Sequence, residues 1–152
     1  MIKVKRTYDL PVAADGRRIL VERLWPRGMK KEALAADAWM KDVAPSTELR
    51  KWFDHRVERW EEFRRRYQNE LSANADAWKP ILDAEEGGPV TLLYSAHDTQ
   101  HNGAIVLRDY LAARQAKRPA RRGAPRRASE ANRAMRRSTG ARKHGELRRR
   151  SR

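Results

Sequence analysis

Two stretches of this chain carry groups able to hold an anion, and both sit where a strand is expected to end. The first is Glu22-Arg23-Leu24-Trp25-Pro26-Arg27-Gly28 and the second is Ser95-Ala96-His97-Asp98-Thr99-Gln100-His101-Asn102-Gly103. Arg23 and Arg27 bring planar guanidinium forks that match carboxylate and phosphate at two points. A helix starting after Asn102 adds backbone N–H groups that have no partner inside the helix. If the preceding strands are parallel, both stretches fall at one sheet edge, where open α/β sheets take their ligands. A second reading fits the same residues: Arg23 and Arg27 pair with nearby carboxylates, Glu22 among them, while Trp25 fills core.

The histidines invite metal and acid–base readings. His97 and His101 are four apart with Asp98 between them, and imidazole titrates near neutrality, so either suits a general base. Residues 97 to 99 nevertheless read as a strand exit and a cap. Asp98 or Thr99 as helix N-cap accounts for the polar cluster without a metal, and no third ligand is evident. No metal or other cofactor is therefore expected. His55, after Trp52-Phe53-Asp54, reads as a partly buried structural histidine, and Ser46 as a helix cap with no His/Asp partner motif. Gly87-Gly88 precedes a strand instead of following one, which disfavours Walker and Rossmann nucleotide sites. The chain has no Cys, which excludes disulfides and thiolate chemistry and is compatible with a reducing cytosol.

The elements that would position these groups follow from periodicity. Ile2 to Tyr8 alternates apolar and basic residues, a strand with one wet face. A turn at Ala14-Asp15-Gly16 leads to a second strand, Arg18 to Trp25, stopped by Pro26 and Gly28. Lys30 to Asp42 favours helix, with Leu34, Ala38 and Trp39 on one side. Ser46 or Thr47 caps a short helix through Leu49 to Phe53. Glu58 to Leu71 is a helix with Trp60, Phe63, Tyr67 and Leu71 on one face and ion pairs Glu61–Arg65 and Glu62–Arg66. Ala77 to Glu86 is helical, starting near Lys79 or kinked at Pro80. Val90 to Ala96 suits a central strand, and Ala104 to Arg114 a last helix. Interleaved strands and helices imply a small α/β domain with a mostly parallel sheet flanked by helices.

Charge divides the chain. Residues 1 to 115 hold 20 basic and 18 acidic residues; residues 116 to 152 hold 15 and 2. The body thus carries +2 and the tail +13 of the formal +15. All five Trp lie in the body, while the tail lacks Trp, Tyr, Phe, Ile and Val. A segment so poor in apolar surface cannot offset its chain entropy, so disorder is expected for 116–152. Its basic clusters (Arg121-Arg122, Arg126-Arg127, Arg136-Arg137, Arg148-Arg149-Arg150) offer many phosphate contacts and no aromatic platform. Non-specific, salt-dependent binding to nucleic acid is the partner this implies. No apolar run approaches the roughly 18 residues of a membrane helix. The N-terminus lacks a signal peptide's apolar core. A cytoplasmic protein with no membrane insertion is the expectation.

Four ordered blocks, YDLPVAADGRRILVERLWPRG, DVAPSTELRKWFDH, WEEFRRRYQNEL and PVTLLYSAHDTQHNGAIVLRDYL, resemble the YeaO-like branch of the family called domain of unknown function 488. The resemblance spans roughly residues 1 to 113. It implies a small α/β fold and brings no activity with it. It points to Arg23, Trp25, Pro26, Arg27 and Gly28, to Ser46, Leu49 and Arg50, and to Tyr94, Thr99 and Asn102. The chain departs from the pattern at Glu22, where Asp is usual, and at His97, where Lys is usual, which counts against His97 as catalyst or ligand. The favoured site becomes a pocket for a small anion formed by Arg23, Arg27, Ser46, Arg50 and Asn102, with Trp25 and Tyr94. Two alternatives stand beside it: an enzyme acting on a phosphorylated or carboxylated small molecule, and a nucleic-acid-associated module without catalysis.

Overall fold

The apolar–basic alternation at the N-terminus forms a strand, Ile2–Arg6 (β1), in the computed structural model, which describes residues 1–117. Arg17–Leu20 (β2), Ala38–Trp39 (β3) and Val90–Tyr94 (β4) complete a four-stranded sheet of order β1-β4-β2-β3. Every pairing is parallel. β4 lies between two neighbours, Val90 aligning with both Ile2 and Arg17, and Leu92 with Val4 and Ile19. All of its residues are buried, so a continuous apolar run serves it where an alternating one serves an edge. The helices are Lys31–Leu34 (α1), Thr47–Phe53 (α2), Trp60–Ala73 (α3), Ala75–Glu86 (α4) and Gly103–Lys117 (α5).

Because side chains alternate along a strand, the sheet has two faces. Ile19, Val90 and Leu92 join Phe53, Phe63, Tyr67, Leu71, Ile81, Leu107 and Leu111 of α2 to α5 in the main core. Leu20 and Leu93 belong to a smaller cluster with Leu34 of α1, against which Trp25 and Met29 pack. That smaller cluster adjoins a buried ionic group. Asp15 and Arg18 are 5% and 4% exposed. The Asp15 carboxylate accepts from Arg18 Nη1 at 2.6 Å, Lys5 Nζ at 3.1 Å and the Val12 N–H at 3.0 Å. Arg18 also donates to the carbonyls of Ala35 and Leu34. Burial pushes the Asp15 carboxyl up, but the Val12 N–H and the cations of Lys5 and Arg18 outweigh it and hold it below its ordinary value.

Several local expectations are corrected. Lys30 to Asp42 is not one helix: Ala35 adopts a left-handed conformation (φ 49°), and α1 stops at Leu34. The backbones of Asp37 and Met40 then bond to Arg18 and Leu20, making β3. Pairing with β2 wins over the helix propensity of an Ala-rich segment. The second strand ends at Leu20, not Trp25, as Glu22 to Gly28 turns away from the sheet. In α3, Glu62 pairs with both Arg65 and Arg66, and Glu61 faces Arg64 instead of Arg65. α4 begins at Ala75 and contains Pro80, so it does not start at Lys79. The expected turn forms as a 3-10 turn at Ala13–Asp15 followed by Gly16 at φ 64°. A Cβ on Gly16 would sit 2.2 Å from the Pro89 carbonyl oxygen. Among the described residues no helix is long and apolar enough to cross a membrane. The tail arginines singled out above, Arg121 to Arg150, lie outside the described residues.

Candidate functional site

Parallel pairing of β2 with β4 brings their carboxyl ends together, and a cleft of about 560 Å³ opens there. The two exits are tied by one carboxylate. Glu22 Oε1 accepts the Ser95 N–H at 2.7 Å and Oε2 the Ser95 hydroxyl at 2.6 Å. Glu22 therefore serves Ser95 and not an arginine, which corrects the pairing reading given above for Glu22. Arg23 is aimed by carbonyls, its Nε donating to Pro45 O at 2.8 Å and Nη2 to Ala44 O at 3.4 Å. It lines the cleft, and its remaining N–H groups are uncommitted among the described residues.

α2 supplies the opposite wall. Ser46 caps it by accepting the Leu49 N–H, and the Ser46 hydroxyl and N–H in turn donate to Glu70 of α3 at 2.6 and 2.9 Å. The helix so fixed presents Arg50 and Phe53 to the cleft. The exposed Arg50 guanidinium has no hydrogen bond or ion pair among the described residues. Phe53 stacks on Phe63 of α3 with centroids 4.3 Å apart. Asp54 and His55 both take positive φ, 49° and 54°, as the chain leaves α2. His55 is exposed at the edge of the cleft, not partly buried, because this reversal carries it out of the core.

The β4 exit and the start of α5 form the third side. Tyr94 is only 5% exposed, lines the cleft, and its hydroxyl has no hydrogen-bond partner among the described residues. Burial pushes its phenol up, against the pull of Arg6. His97 is exposed, with Nδ1 3.4 Å from Arg6 Nη2. Asp98 organises the loop: Oδ1 accepts from the N–H groups of Gln100 and His101, and Oδ2 lies 2.9 Å from His101 Nδ1. These contacts, the Gln100 N–H first, hold Asp98 below the usual carboxylate range. The cap of α5 is neither Asp98 nor Thr99. It is Asn102, whose Oδ1 accepts the Ile105 N–H while Nδ2 donates to the Asp98 carbonyl. The N–H groups of Gly103 and Ala104 are left in the first turn, at the cleft wall.

Of the sequence-derived candidates, Arg23, Arg50, Tyr94, Asn102, His97 and Asp98 line one cleft. Trp25, Arg27, Ser46 and His101 do not. Trp25 donates to Met29 O and meets Trp39 edge-on at 5.3 Å beside the smaller core. Arg27 is exposed, with its carbonyl accepting from Tyr8. His101 packs its ring on Trp60. Glu22, Phe53, His55 and Phe63 line the cleft without having been assigned to it from sequence. Among the described residues no group of three or more His, Asp or Glu is placed to hold a metal ion.

The model of the inactive DUF488-N3 subclade matches residues 1–131, past the end of the quoted motifs. The uncharacterised protein YeaO of Escherichia coli (strain K12) is 49% identical over 110 residues, which is 72% of this chain and 96% of that protein. The uncharacterised protein Rv3073c of Mycobacterium tuberculosis (strain H37Rv) is 47% identical over 74 residues, 49% of this chain and 63% of that protein. No solved structure matches the chain significantly.

Proposed function

The chain belongs to the inactive DUF488-N3 subclade, and from that premise we propose that its body binds a small organic anion in the cleft without transforming it. The observation carrying this reading is the shared cleft of Arg23 and Arg50, neither of which has a carboxylate partner among the described residues. Cations left without an ion-pair partner beside an apolar wall favour an anionic guest, since a partly desolvated site strengthens the attraction. Arg23 is the preorganised member, its fork fixed by Pro45 and Ala44. Arg50 is exposed and carries no such bonds among the described residues. The subclade's description favours this reading over the enzyme.

The test is a titration of the full chain with inorganic phosphate, acetate and phenylacetate. Arg23→Ala and Arg50→Ala should each weaken whichever anion binds by about tenfold, the worth of a charge-assisted hydrogen bond. Affinities unchanged in both variants would refute the pocket. We assign polyanion affinity to residues 116–152, from their 15 basic and 2 acidic residues. Truncation after Lys117, the last described residue, should abolish binding to duplex DNA at moderate salt and flatten the salt dependence. Undiminished binding by the truncated chain would place that affinity in the body.

A further inference from the structure

The lining of the cleft narrows the chemistry of its guest. Val21, Leu24, Ala44, Phe53 and Phe63 make its walls predominantly apolar, and the stacked Phe53–Phe63 pair gives a ring surface. Its volume of about 560 Å³ lies in the range of pockets that enclose small organic molecules. The ionised groups lining it balance in number, Arg23 and Arg50 against Glu22 and Asp98, with no ion pair between them among the described residues. Such a balance accommodates one added negative charge and opposes a second. A phosphate dianion would bring that second charge and would leave the apolar walls uncovered.

Two donor groups are independently ready for that single charge. The Tyr94 hydroxyl is held in a side chain 5% exposed, at the cleft, with no hydrogen-bond partner among the described residues. The hydroxyl itself is reached by solvent, so it is open to donate to a guest. Gly103 and Ala104, which supply the first N–H groups of α5, line the same cavity. Asn102 takes only the Ile105 N–H, and the 15-residue helix places its positive end there.

We infer that the cleft is a site for monocarboxylates bearing an apolar ring, with the carboxylate held by the Tyr94 hydroxyl and the first turn of α5, and the ring against Phe53 and Phe63. This rests on the anion-pocket reading above and specifies it. The experiment uses the full chain, titrated with phenylacetate, 2-phenylethanol and inorganic phosphate, with affinity from calorimetry and location from the amide resonances of Gly103 and Ala104. Phenylacetate should bind saturably and move both resonances, with the alcohol and phosphate at least about tenfold weaker. Tyr94→Phe, which keeps the ring and its packing, should weaken phenylacetate by about tenfold while leaving the unfolding midpoint near that of the parent chain. Phosphate binding at Gly103 and Ala104 without phenylacetate binding would overturn this inference and leave the anion pocket standing. Binding of none of the three would overturn both. Parental phenylacetate affinity in Tyr94→Phe would remove the hydroxyl from the site and with it the inference.

Discussion

Replacing Asp15 with Asn tests how the thinner side of the sheet is held. The substitution keeps shape and removes the charge that Arg18 and Lys5 face at 2.6 and 3.1 Å. Arg18 is 4% exposed, and its other donors are already given to Leu34 and Ala35, so it cannot swing out to water without breaking those bonds. Breaking a buried pair from one side costs about 3–5 kcal/mol, because the partner charge stays buried without compensation. Domain stability is of order 5–15 kcal/mol in all, so the loss is a large share of it. Urea unfolding of the full chain should show the midpoint fall with little change in slope, and the melting temperature should drop by roughly 10–20 °C. Acid should act through the same group. Its folded pKa lies below the ordinary 3.8, so its contribution is present above 3.8 and disappears as pH falls through the depressed value. The parent should therefore lose stability in that window more steeply than Asp15→Asn. A cost under about 1 kcal/mol, with acid profiles that superimpose, would refute the ionic account and assign the site's stability to packing.

Two further substitutions test local geometry. Gly16→Ala forces a side chain into a φ of 64° and a Cβ within 2.2 Å of the Pro89 carbonyl, so it should cost more than the roughly 1–3 kcal/mol of backbone strain alone, read as a lowered urea midpoint. Ser46→Ala removes the α2 cap and the hydroxyl's bond to Glu70 while keeping the backbone N–H bond, which should cost about 1–2 kcal/mol; anion titration should return the parent's affinity, because Ser46 lies outside the cleft.

What could be read from sequence divides by range. α3 was legible because Phe63, Tyr67 and Leu71 repeat at the helical period and all three are buried. β4 was legible because five consecutive buried residues need no alternation. Lys30 to Asp42 was misread because Ala-rich composition speaks for helix locally, whereas the Asp37 and Met40 bonds to β2 are set by a strand far upstream. The same limit governs the cleft. Its edges followed from two strand exits and an assumption of parallel pairing. The bonds that shape it, Glu22 to Ser95 and Ser46 to Glu70, join residues distant in the chain and leave no periodic trace. Arg23 and Arg27 looked alike as sequence. Only the turn at Pro26 and the carbonyls of Ala44 and Pro45 separate them, sending one to the cleft and the other to solvent.

The central position of β4 also sets a timetable. Synthesis runs from the N-terminus, so β1 and β2 are made long before the strand that must lie between them. Ile2 aligns with Val90, and Arg17 aligns with that same residue. Until residues 90–94 leave the ribosome, β1 has no strand to pair with, and β2 has only the two-residue β3. Helices α2, α3 and α4 can form locally during that interval, while the sheet must wait for closure of a loop spanning most of the body. Sheet formation should therefore be late and abrupt, an insertion of one strand between two waiting edges, with the cleft at its carboxyl ends appearing in the same step.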